Sequence, residues 1–114
     1  MNEQVNSFFE KHKKTMGELQ KETPDLVKTF GALFYSVMKE GALSTKTKEL
    51  IALGIAVAQR CEPCIRLHIK KAIEAGCSKE EMLEAAGVSV VMQGGPAHSY
   101  LAVVLETIQA LTEK

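Results

Sequence analysis

Apolar residues along this chain recur at three- and four-residue intervals, and nowhere does a sustained apolar–polar alternation appear. That is the spacing of helices with one buried face, not of strands. Val5, Phe8, Phe9, His12, Met16 and Leu19 form a first stripe, and Leu26, Phe30, Leu33, Phe34, Val37 and Met38 a second. Thr23-Pro24-Asp25 opens the second stripe as cap, first-turn proline and an acid suited to the helix dipole, and Gly41 is a stop signal. Ser44 or Thr45 can cap a third helix. Its run LIALGIAVA is apolar on every side, so it belongs in the middle of a bundle or at a subunit interface.

A fourth helix is predicted over residues 62–75, ending at Gly76. Ser78-Lys79-Glu80-Glu81 has the spacing of a capping box ahead of Met82, Leu83, Ala86 and Val90. Gly94-Gly95 breaks the chain and Pro96 restarts it. The last helix carries Leu101, Val104, Leu105, Ile108 and Leu111 on one face. The pattern predicts an all-α bundle of about six helices in a single domain spanning residues 1–114, with no internal linker or repeat. Wide apolar faces such as GVSVVM and YLAVVL on a chain this small predict a homo-oligomer that buries part of them.

Composition narrows the partners. Lys plus Arg and Asp plus Glu stand at 14 each, so no basic excess invites nucleic acid or an acidic membrane. Aromatic residues are only 5% of the chain, which leaves few stacking platforms for single strands. The opening MNEQVNSFFEKHKK lacks the apolar core of a secretory signal, and the longest apolar run, Leu50 to Ala58, is far short of the roughly 18 residues of a membrane span. The cytoplasm is the expected location.

The chemistry concentrates in RCEPCIRLHIK, residues 60–70. Arg60 ends the third helix and Pro63 suits the first position of the fourth, which places Cys61 near the cap and Cys64 in the first turn. The positive end of a helix stabilises a thiolate, the reactive form of cysteine. His68 lies four residues after Cys64 and so on the same face, leaning back toward the sulfur where an imidazole can take the thiol proton. Ile65, Ile69 and Ala72 flank that face and predict partial burial. Glu62, Arg66, Lys70 and Glu74 form the opposite face, predicted to be solvated.

Taken alone these residues leave three readings open: a redox pair, a zinc half-site, or a buried structural pair beside a core histidine. Zinc wants four ligands, and the remaining candidates, Cys77, His98 and His12, are not paired with one another. Cys77, in EAGCSKEE, reads as a bystander at a turn, His12 as a core or interface residue, and His98 as a capping or surface residue.

From Lys48 onward, KELIALGIAVAQRCEPCIRLHIKKAIEAGCSKEEMLEA resembles the carboxymuconolactone decarboxylase family, in particular its alkyl hydroperoxidase D-like branch. The shared pattern is a glutamate, eleven residues, C-x-x-C, three residues and a histidine: Glu49, Cys61, Cys64 and His68. The likeness runs over about residues 44–111. It implies an all-helical trimer or hexamer acting as a two-cysteine peroxidase without heme, flavin or metal. By the same resemblance, Cys64 attacks the peroxide, Cys61 resolves the sulfenic acid as a disulfide, His68 takes the proton, and Glu49 orients or recharges His68. A dithiol reductant, lipoyl-bearing in the better-known relative or thioredoxin-like, then reopens the disulfide.

Two features qualify the parallel. The active hydroperoxidase has a histidine just before the second cysteine, where this chain has Pro63, which leaves disulfide exchange with little peroxidase activity as an alternative. The decarboxylase members share the fold without relying on the cysteines, and a non-redox enzyme here would draw on His68, Glu49 and Arg66. Glu49 also stands twelve residues before Cys61, about 18 Å along a straight helix. On that measure a simple antiparallel hairpin is expected to leave it short of His68.

Overall fold

The computed structural model describes residues 2–113, and all regular structure among them is helical. Seven helices follow in order: α1 (Glu3–Glu22), α2 (Pro24–Met38), α3 (Thr45–Ala58), α4 (Glu62–Glu74), α5 (Lys79–Gln93), α6 (Gly95–Ser99) and α7 (Leu101–Thr112). The all-α expectation holds, with one refinement. The restart after Gly94 is not one helix but two, because the chain pauses at Tyr100 between the five residues of α6 and the start of α7.

The caps explain most of the boundaries. The Ser44 hydroxyl accepts the Thr47 N–H at 3.0 Å and so is the cap of α3. Ser78 and Glu81 exchange both capping-box bonds at the start of α5. Two donors at once, the Ser78 N–H first and the Lys46 ammonium second, hold the Glu81 carboxyl below the usual carboxylate range. The end of α2 is fastened to the start of α3. The Lys48 ammonium donates to the Val37 and Lys39 carbonyls at 2.7 and 2.8 Å, and Thr45 Oγ1 donates to the Met38 carbonyl at 2.7 Å. Carbonyls with no partner inside α2 are satisfied in this way.

The core lies among α3, α4, α5 and α7. Leu53, Val57, Ile65, Ile69, Met82, Val104 and Ile108 are fully enclosed there. Each contributes on the order of 1.5–3 kcal/mol through removal of its side chain from water. Gly54 lets α3 and α5 approach closely: a Cβ there would stand 3.3 Å from the Ala85 carbonyl oxygen. In that contact the Ser89 hydroxyl donates to the Gly54 carbonyl at 2.7 Å.

The first two helices are different. Only Val5 of α1 is buried, and α2 buries nothing. Leu26, Phe30, Leu33, Tyr35 and Val37 of α2 face outward, as do Ile51 and Ile55 of α3 and Val88, Val91 and Met92 of α5. The third helix, apolar all round in sequence, therefore has one face in the core and one uncovered.

Candidate active site

Two consecutive helix ends build the site. As α3 finishes, Arg60 takes a left-handed conformation (φ 55°), and the Cys61 N–H donates back to the Ala56 carbonyl at 3.1 Å. This closure needs no glycine, and it delivers Cys61 directly to the cap position of α4. The Cys61 sulfur accepts the Cys64 N–H at 3.3 Å, so the first cysteine does the work usually given to Ser or Asp. Pro63 sits in the first turn, where its missing N–H costs nothing. With Cα atoms 5.2 Å apart, Cys61 and Cys64 are joined as a disulfide, and both are half-buried.

One turn further along α4, His68 Nδ1 lies 2.8 Å from Glu49 Oε1. Glu49 is only 3% exposed, which makes His68 a needed partner: a buried carboxylate without one is costly. The expectation that a hairpin would separate these residues is overturned. The rise along α3 from Glu49 to Cys61 is recovered because α4 runs back alongside α3. Glu49 stands nine residues before the end of α3, and His68 six residues into α4. The mismatch is three residues, about 4.5 Å of helical rise, which two side chains span easily.

A carboxylate can only accept, so Nδ1 is the donor in this bond, and in the neutral ring the lone pair is then on Nε2. In this disulfide form no hydrogen bond joins His68 to either sulfur. The imidazole is held on a second side by Phe34, whose ring stacks on it at 6.1 Å between centroids and 21° between planes. Lys71 places its ammonium 4.9 Å from the Phe34 ring centre. Phe34 is thus the residue through which α2 meets the site. Nothing in the second apolar stripe distinguishes it from its neighbours.

The opposite face of α4 is solvated only in part, contrary to its spacing. Lys70 and Glu74 are solvated there and paired at 3.0 Å, but Arg66 is not: it is 5% exposed. α1 covers it, with the Phe8 ring 5.4 Å from its guanidinium carbon, and Arg66 Nη2 reaches Glu62 Oε1 at 3.2 Å. A helical-wheel reading of α4 alone cannot register a helix that arrives from sixty residues away.

The remaining candidates lie apart. Cys77 is buried at the start of the loop before α5, with its thiol 3.7 Å from the Lys46 carbonyl. Burial first, then the negative charges of Glu81 and Glu49, push that thiol up, partly offset by Lys46. His12 is half-buried, stacked on Phe8, and His98 is exposed on α6. Among the described residues, no three His, Cys, Asp or Glu side chains are grouped so as to hold a metal ion.

Residues 24–107 match the model of the carboxymuconolactone decarboxylase family. The chain belongs to this family. A family protein from Legionella pneumophila, solved in its apo form, superimposes with a TM-score of 0.91 at 34% identity, covering 96% of this chain and 98% of that one. A Thermotoga maritima family protein, described as having a possible part in an antioxidative response, matches with a TM-score of 0.81 at 30% identity, over 94% of this chain and 91% of that one. Among curated sequences, protein 4 of the cox locus of Paracoccus denitrificans is 34% identical over 85 residues, 75% of this chain and 77% of its own. No helix among the described residues is long and apolar enough to cross a membrane.

Proposed function

We propose that the protein is a thiol-dependent peroxidase in which Cys61 and Cys64 cycle between dithiol and disulfide. The observation that carries this reading is the Glu49–His68 pair, set one helical turn beyond a disulfide at a helix N-terminus. In the reduced protein, His68 Nε2 takes the Cys64 proton. The Cys64 thiolate attacks one oxygen of a hydroperoxide; the O–O bond breaks, the sulfur becomes a sulfenic acid, and an alcohol or water leaves with a proton. The Cys61 thiol then displaces hydroxide from that sulfur, water departs, and the disulfide remains. Two thiols of a dithiol reductant, of lipoyl or thioredoxin-like type, restore the starting state and become a disulfide themselves.

Glu49 fixes the tautomer of His68, and Phe34 fixes its plane. The possible part in an antioxidative response described for the Thermotoga maritima relative agrees with this assignment. Pro63 favours disulfide exchange as the second reading, because a proline beside Cys64 cannot relay a proton. The test is peroxide consumption in the presence of a dithiol. Cys64→Ser abolishes it, and Cys61→Ser lets a dimedone-trappable sulfenic acid accumulate; full turnover by Cys64→Ser refutes the assignment.

The reading extends to assembly and location: a cytoplasmic homo-oligomer, trimer or hexamer, that covers the exposed apolar residues of α2, α3 and α5. A mass near the monomer's 12.5 kDa by light scattering overturns the assembly.

A further inference from the structure

Arg66 has no part in the chemistry just described, yet it is a permanently charged group 5% exposed in a small protein. Its Nε has no hydrogen-bond partner. Burying such a group is expensive, and an apolar side chain of similar volume would fill the space beneath Phe8 without that cost. Among the described residues its one ionic partner is Glu62, 3.2 Å away, and Glu62 is the acid inside C-E-P-C, the residue that follows Cys61 and begins α4.

Two anions compete for that helix end. An acid in the first turn is favoured by the helix dipole, and so is the thiolate that the redox reading requires. Left unpaired, the Glu62 carboxylate would oppose ionisation of the cysteines. Also near this helix are Arg60, exposed in the preceding turn, and the Glu49–His68 pair. Arg66 is the cation that holds Glu62, and Phe8 shields its guanidinium from solvent, so its charge is less screened than that of a surface arginine.

Resting on the reading of Cys61 and Cys64 as a redox pair, we infer that Arg66 is a positioning residue that sets the reduction potential of this pair by neutralising Glu62. Because a thiolate in the reduced form makes a disulfide easier to reduce, the two halves of the ion pair act in opposite directions. Loss of Arg66 stabilises the disulfide. Loss of the Glu62 charge favours the dithiol.

The experiment is equilibration of the full-length protein and its variants in glutathione buffers, with the Cys61–Cys64 state counted by mass spectrometry. Each reduction converts two glutathione thiols to one glutathione disulfide, and peroxide is absent, so missing peroxidase activity leaves the result intact. Arg66→Met is expected to raise the equilibrium constant for the disulfide about threefold, and Glu62→Gln to lower it by about the same factor. The double variant and Arg66→Lys return to within about twofold of the parent. A merely structural Arg66 would instead lower stability and leave the constant alone. Glu62 is half-exposed, so Glu62→Gln reads out the proposal even if Arg66→Met does not fold. Constants that do not move, single variants that move the same way, or a double variant that fails to return overturn it. A pair that stays reduced in every buffer removes the redox reading itself, and the inference with it.

Discussion

The turn after α3 and the turn after α4 close in the same way and each ends on a cysteine, yet only one of those cysteines is joined to a second sulfur at a helix N-terminus. In the first, the chain passes through Arg60 (φ 55°) and the Cys61 N–H bonds the Ala56 carbonyl; in the second it passes through Gly76 (φ 94°) and the Cys77 N–H bonds the Ala72 carbonyl. Both are the closure of a helix by a left-handed residue. The difference is one of register. Cys61 is itself the cap of the next helix, and its sulfur accepts the Cys64 N–H in the first turn of α4. After Gly76 that position falls to Ser78, and Cys77, one residue earlier, turns into the core at 8% exposure. Register relative to the helix terminus, and not the presence of a thiol, places one sulfur at a helix cap and the other in the core.

The largest expected effect breaks the comparison at the cysteines. Cys64→Ser lowers peroxide turnover by roughly a thousandfold or more, whereas Cys77→Ser leaves it within about twofold, measured by peroxide consumption under dithiol. Glu49→Gln follows, with turnover down about tenfold, because the carboxylate that holds His68 Nδ1 and sets its tautomer is lost.

The Cys77 thiol gives the next test. Burial raises its pKa, so the folded state holds this proton more tightly than the unfolded chain does. Its contribution to stability is therefore complete below about pH 8.5, the ordinary cysteine value, and is lost as pH rises through the raised folded value. Urea titrations across that range are expected to show a shallower alkaline decline for Cys77→Ala than for the parent. Smallest are the turns themselves. Gly76→Ala costs about 1 kcal/mol, since its φ disfavours a side chain, while Arg60→Gly gains a few tenths at about the same urea midpoint slope.

Local signals made most of this legible in the sequence. The helix starts at Ser44 and Ser78, the break at Gly94, and the placement of Cys61 at a cap and Cys64 one turn inside are all set by residues within a few positions of one another. What the sequence hid depends on partners far along the chain. Arg66 has the spacing of a solvated face and becomes buried because Phe8 of α1 lies over it. Phe34 looks like any member of an apolar stripe until α2, tied down through Lys48 and Thr45, lays it on His68. Glu49 comes within reach of His68 because α4 runs back alongside α3, a pairing that spacing along α3 alone does not contain.

One measurement tests the redox pair most directly: a stoichiometric pulse of hydrogen peroxide to the reduced protein, followed by mass mapping of its thiols. The predicted result is rapid loss of two hydrogens from the peptide holding Cys61 and Cys64, with Cys77 unmodified. Thiols at 61 and 64 that remain reduced for hours, or oxidation of Cys77 at the same rate, would contradict it.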